Sequence, residues 1–371
     1  MRIVYFTHSL TSCWNHGNAH FLRGVLRELA CAGHAIRVFE PESGWSRMNL
    51  VRAGGAAAIE EFQRLFPELR PEFYGEDPDV DHLLGGAELV IVHEWTAPDV
   101  VAAIGRYRLG HRFTLLFHDT HHRAASDPNA IRAFDLSCYD GVLAFGESLA
   151  DIYRRWGWGS RVHVWHEAAD TRLFRSLTQE TAAESLVWIG NWGDDERGEE
   201  LAEFLLRPAE ASRTAFDVYG VRYPENAQSL ITGHGGHYRG WLANVRVPCV
   251  FARHRMTVHV PRRFYVRVLP GIPTIRVFEA LACGIPLVSA PWDDCEHLFS
   301  PGEDYLLARS EAEMTRHLRD LTHDAELRAA LAASGLRRIA ERHSCAQRAR
   351  ELLAIVGHLG QTEQQERTGA L

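Results

Sequence analysis

The chain has 371 residues, 46% hydrophobic and 24% charged, with a formal net charge of −8; that balance argues against a disordered or a membrane class and, with no basic run, against nucleic acid as a partner. Its length suits two domains of roughly 150 residues each. All 40 residues in the Lys and Arg count are arginine, which excludes Schiff-base chemistry, a pyridoxal-phosphate anchor, a Walker-type lysine and a Tyr-Lys reductase pair.

The chain enters a strand-like run at Arg2, and short apolar runs then alternate with helical patterns, the signature of βαβ units. Strands are predicted near 2–7, 35–39, 88–93, 112–117, 141–145 and 161–165. A polar stretch over 175–184 reads as a linker, and a second alternation follows, with strands near 185–190, 215–219, 256–260, 286–289 and 304–308. Residues 310–358 read as helical, with Leu327, Leu331, Leu336, Ile339, Leu352, Leu353 and Val356 at core-facing spacings, and the tail beyond Gly360 is expected to fray. No run approaches the roughly 20 apolar residues of a membrane span, so a cytoplasmic protein is expected. The seven cysteines never form a C-x-x-C pair, which argues against a thiolate zinc site or a disulfide framework.

The most informative segment runs from Leu269 to Ser289: loop, helix, glycine stop and buried strand. Pro273 suits a first helical position, and the free N–H groups at that end, near Thr274, suit a phosphate. Val277, Phe278, Ala280, Leu281 and Ala282 cover most faces of the helix, and only Arg276 and Glu279 interrupt them. These two stand three apart on one face. Either they neutralise each other in a salt bridge, or arginine meets phosphate and carboxylate meets ribose hydroxyls.

From Phe278 to Val288 the chain resembles the E-A-x-A-x-G-x-P-x-V signature of GT-B glycosyltransferases, particularly glycosyltransferase family 4 and its spore-maturation-type, CgeB-like branch. The resemblance implies an α/β protein with two Rossmann-like doubly wound domains facing a cleft and C-terminal helices. Residues 1–174 would form the acceptor-side domain and 185–335 the nucleotide-sugar domain, with helices over 336–358 packing back towards the first. It assigns Glu279 to the nucleotide ribose. Glu167–Phe174 is similar to the segment closing the family's first domain, with Asp170 and Phe174 matching; Phe117-His118-Asp119 is similar to a strand-ending H-D whose histidine faces the transferred sugar; and Gly17 sits where the family's first loop approaches the diphosphate.

Two departures stand out. Many retaining relatives carry a second glutamate eight residues before the ribose-binding one, where this chain has Gly271, and the usual arginine–lysine pair on the diphosphate is replaced by arginines alone, with Arg197, Arg262, Arg263 and Arg276 as candidates. The resemblance favours retention. An inverting route would instead need a base, for which Asp119, Glu94 or His118 are candidates, and Asp170 and Glu94 are candidate acceptor or sugar contacts.

The implied function is transfer of a sugar from a nucleoside-diphosphate sugar to a small-molecule, glycan or surface-polymer acceptor, without a metal or other cofactor. A nucleotide-sugar epimerase and a non-catalytic nucleotide-sugar binder or partner subunit are the alternatives. His16 and His20, and the run from His118 to His122, have metal-ligand residue types but are read as polar lining. Asp77-Pro-Asp79-Val-Asp81, formally a D-x-D pattern, is read as a solvated turn.

Overall fold

The computed structural model describes residues 1–177, 184–193 and 196–369; residues 178–183 of the expected linker lie outside the described residues. The chain divides into two compact units, Met1–Glu167 with Cys345–Leu371, and Ala168–Ser344.

Unit 1 holds seven parallel strands: β1 (Arg2–Phe6), β2 (Ala35–Pro41), β3 (Glu72–Tyr74), β4 (Leu89–His93), β5 (Thr114–Asp119), β6 (Gly141–Ala144) and β7 (Val162–Val164). Their order is β3-β2-β1-β4-β5-β6-β7. Ile3, Phe6, Leu89–Val92 and Leu115–Phe117 have no exposed surface, because a parallel sheet is covered on both faces and its strands read as continuous apolar runs. The Ala19–Cys31 helix buries Phe21, Leu22, Val25, Leu26 and Leu29, each worth about 1.5–3 kcal/mol. The last helix, Cys345–Gly369, packs on it, and Trp165 Nε1 donates to the Arg348 carbonyl at 2.9 Å.

Unit 2 repeats the plan with β8 (Glu184–Ile189), β9 (Phe216–Tyr219), β10 (Gly236–Tyr238), β11 (His254–His259), β12 (Leu287–Ser289) and β13 (Leu306–Leu307), in the order β10-β9-β8-β11-β12-β13. Leu186, Val218, Met256, Val258 and Val288 form its core with residues of the flanking helices. The Ile275–Cys283 helix ends at Gly284, whose φ of +67° is left-handed and whose Cβ would lie 3.1 Å from Leu336 Cδ1. A glycine stop is therefore required there by both backbone and packing.

Three local expectations differ from the structure. The helix begins after an N-cap at Thr274, whose backbone is extended, so Pro273 stands just outside it, one residue before the cap. Strands β3 and β10 are not among the predicted ones: they are edge strands, Glu72-Phe73-Tyr74 and Gly236-His237-Tyr238, each with a single buried residue, so they lack the continuous apolar run of a strand covered on both faces. The final helix continues past Gly360 to Gly369. The acidic D-x-D segment follows β3 and has local partners: Asp79 caps the Val80–Leu84 helix by accepting from the His82 N–H at 3.2 Å, and Asp81 accepts from the Tyr107 hydroxyl at 2.7 Å.

Candidate functional site

In a doubly wound sheet, ligands bind beyond the carboxyl ends of the strands where the strand order reverses. That point lies between β8 and β11 in unit 2, and between β1 and β4 in unit 1.

In unit 2, Arg197 spans the switch point. Its Nη2 donates to the Asn191 carbonyl, two residues beyond β8, at 2.6 Å, and its Nη1 to the Val260 carbonyl, just beyond β11, at 3.2 Å. Arg197 is 8% exposed and its guanidinium lies over the Trp188 ring at 5.2 Å; among the described residues it forms no ion pair with a carboxylate and its Nε has no hydrogen-bond partner. Burial, then the nearby Arg262, pull it down to about 10, so it stays cationic at neutral pH. Gly193 makes room: its φ is +83° and a Cβ would meet Arg197 Nε at 2.7 Å. An arginine held by carbonyls in a dry place is a positive charge awaiting an anion.

Glu279 has no exposed surface; Asn244 Nδ2 donates to its Oε1 at 2.6 Å and Arg276 forms an ion pair with its other oxygen. The mutual Arg276–Glu279 pairing weighed from the sequence therefore exists in this structure. Thr274 caps the helix with its backbone only, its side chain making no capping bond. Arg262 pairs with Glu196 at 2.7 Å, and Arg263 with the partly exposed Glu200 at 2.5 Å and the exposed Glu199 at 3.2 Å. Gly271 has a φ of +86°, and a Cβ there would come within 2.9 Å of Glu296 Oε1. A glutamate at 271 would be strained in backbone and crowded by a carboxylate already present. Asp170 shapes a turn in unit 2: its carboxylate accepts from the Arg172 N–H at 3.1 Å and its carbonyl from the Phe174 N–H at 2.8 Å.

In unit 1, Glu94, His118 and Asp119 come together at the ends of β4 and β5, all without exposed surface. Glu94 Oε2 accepts from Arg123 Nε at 3.0 Å, while its Oε1 has no hydrogen-bond partner among the described residues. Asp119 accepts from the Tyr153 hydroxyl at 2.7 Å and the His121 N–H at 3.0 Å. Burial raises Glu94 to about 8, aided by the charge of Asp119, and burial raises Asp119 to about 6. The pair therefore holds a proton near neutral pH. His118 lies deeper than a strand-ending histidine suggests: its ring packs against Phe21 and Trp165, its Nδ1 is 2.5 Å from the Tyr5 hydroxyl, and burial drops it to about 3. It is neutral at any physiological pH. Gly17 is exposed and accepts from the His20 N–H at 3.3 Å.

Sequence reasoning missed several residues here. Glu40, at the end of β2, takes the N–H groups of Leu10 and Thr11 at 2.6 and 2.8 Å and the Ser9 and Thr11 hydroxyls, fixing the loop after β1. His8, His93, Trp45, Trp95 and Arg123 also converge on this end, and Asn244 joins Glu279 in unit 2. Their only sequence signal was position after a strand, which many loop residues share. Among the described residues no three His, Cys, Asp or Glu side chains are grouped to hold a metal ion, and no helix is long and apolar enough to cross a membrane.

Residues 197–354 match a family model described as glycosyl transferase-like. No curated protein matches the chain. Among solved structures, Anabaena HepE is similar over 96% of this chain and 99% of its own, with a TM-score of 0.67 at 14% identity. TarM from S. aureus is similar over 96% and 100%, with a TM-score of 0.67 at 9% identity. T4 phage BGT is similar over 96% and 99%, with a TM-score of 0.59 at 9% identity. At such identities the likeness establishes the fold, which is that of the GT-B glycosyltransferases.

Proposed function

We propose that the chain transfers a glycosyl group from a nucleoside-diphosphate sugar, with unit 2 holding the nucleotide and unit 1 the acceptor hydroxyl. One observation carries this reading: the buried Arg197 cation at the switch point of unit 2, held by two carbonyls and without an ion-pair partner among the described residues. Negative charge grows on the diphosphate as the glycosidic bond breaks, and Arg197, with Arg276 and the N-terminal N–H groups after Thr274, would stabilise it. Those groups supply the positive charge that a metal provides elsewhere, so the reading requires no metal. Glu279 and Asn244 would take the ribose hydroxyls, with Arg276 released from Glu279 to phosphate.

The glycosyl transferase-like family match supports the reaction class. A uridine donor is supported by the neighbours: HepE was crystallised with UDP and with UDP-glucose, TarM with UDP, and T4 phage BGT with UDP-glucose. In unit 1, the Glu94–Asp119 pair would accept the acceptor proton in an inverting reaction. If the reaction retains configuration, the same pair would instead orient the acceptor.

Incubating the protein with a panel of UDP-sugars and candidate acceptors, and reading UDP release beside product mass, tests the proposal. A glycosylated product supports transfer. An isomerised donor without acceptor would mean epimerisation, and tight binding without turnover would mean a binding protein.

A further inference from the structure

The two switch points differ in character. That of unit 2 is built around arginine, whereas that of unit 1 is built from neutral imidazoles and indoles. At the carboxyl ends of β1 and β4 the buried atoms Thr7 Oγ1, both ring nitrogens of His8, His16 Nε2, His93 Nδ1 and Thr96 Oγ1 have no hydrogen-bond partner among the described residues. Buried polar atoms are nearly always partnered, and a group of exceptions in one place marks where something else supplies the partners.

Beside them stand two indoles that the fold leaves open, Trp45 at 38% and Trp95 at 36% exposure. The His8 ring stacks on Trp45 at 5.6 Å and 11°, and lies edge-on to Trp95 at 6.0 Å; Trp14 stands 6.0 Å from Trp45. The loop that carries His8 and Trp14 is tied down by more than the Glu40 bonds: Ser46 Oγ donates to the Trp14 carbonyl at 2.8 Å and Arg23 Nε to the Leu10 carbonyl at 2.7 Å.

We infer that this corner of unit 1 is the acceptor subsite and takes a neutral pyranose, its apolar face on Trp45 and Trp95 and its hydroxyls on His8, His16, His93 and Thr96. The inference rests on the transferase reading and narrows its acceptor. A pyranose offers what the corner lacks: an apolar C–H face for an indole and a rim of hydroxyls, each both donor and acceptor, as a neutral imidazole is. Burial holds His8 at about 4 and His16 and His93 well below their ordinary value, so these imidazoles bring no positive charge for an anionic acceptor. Arg123, which lies over Trp95 at 4.0 Å, is paired with Glu94.

The test uses the full chain saturated with UDP, whose own binding is measured first by calorimetry. Saturation-transfer NMR is then recorded with methyl glycosides of glucose, galactose, mannose and N-acetylglucosamine, and with glycerol and glycerol 3-phosphate as probes without a ring face or with a charge. The expected result is transfer concentrated on the ring protons of one face for at least one glycoside. Trp45→Ala and Trp95→Ala should each weaken it roughly tenfold, Trp45→Phe should retain most of it, and UDP affinity should stay at the wild-type value in all three. Transfer to glycerol 3-phosphate alone, no glycoside signal although UDP binds, or wild-type glycoside binding in both alanine variants would overturn the inference. Failure of UDP to bind would instead remove the transferase reading, and this one with it.

Discussion

Replacing Arg197 with methionine keeps much of the side chain's volume and removes its charge. The guanidinium has two bonds to the Asn191 and Val260 carbonyls and an Nε with no partner, so its remaining N–H donors are the ones a diphosphate would engage. One such charge-assisted bond is worth about 1.5–3 kcal/mol, which corresponds to roughly 10- to 150-fold in affinity. The fold should lose little, because two bonds to carbonyls disappear together with a buried cation that has no ion-pair partner among the described residues, and these effects oppose each other. Titration calorimetry with UDP and with uridine, beside a thermal melt, measures both quantities. The expected outcome is a large loss for UDP, near-wild-type uridine binding and a melting temperature within a few degrees of wild type; Arg197→Lys should fall between, keeping the charge without the fork. Equal losses for UDP and uridine, or unchanged UDP binding, would refute the diphosphate role. A collapse of the melting temperature would show that Arg197 is there to staple β8 to β11.

Glu279→Gln should weaken UDP more than its 2′-deoxy analogue, and it should also lower the melting temperature because Arg276 loses its partner; a stability loss without discrimination between the two nucleotides would leave only the salt bridge. If Asp119 is the base, turnover should rise with pH through about 6, and Glu94→Gln should move that limb to lower pH by leaving Arg123 to Asp119 alone; an unmoved limb would dissociate the pair from catalysis. Stability should fall on both sides of neutral. Glu94 is raised in the folded state, so its contribution is full below about 4.5 and is lost as pH rises through about 8, whereas His8 and His118 are lowered, so theirs is lost as pH falls below about 6.5 towards 4 and 3; melts of Glu94→Gln should be flatter on the alkaline side. Activity should survive chelation by EDTA, and its abolition with recovery on adding a divalent cation would contradict charge stabilisation by arginine alone.

Chain order and composition alone determined the alternation of strand and helix, the doubly wound plan and the glycine stop at Gly284. They did so because parallel strands buried on both faces must be written as continuous apolar runs, and a left-handed helix end requires glycine. Arg276 and Glu279 were legible for the same reason: two charges on an otherwise apolar helix contradict their surroundings. The edge strands β3 and β10 were not, since each buries a single residue and carries no continuous apolar run. Nor could the sequence say that Arg197 would reach Val260, 63 residues away, and so bridge β8 to β11, that Asn244 would reach Glu279, or that His118 would sink beneath Trp165 while Trp45 and Trp95 stayed partly exposed. Those facts depend on which strand ends the sheet order brings side by side, and on which face of its strand each side chain takes. In a parallel sheet, neighbours at the switch point come from β1 and β4 or from β8 and β11, so the residues that share a ligand are separated by whole helices and strands, and only the tertiary structure joins them.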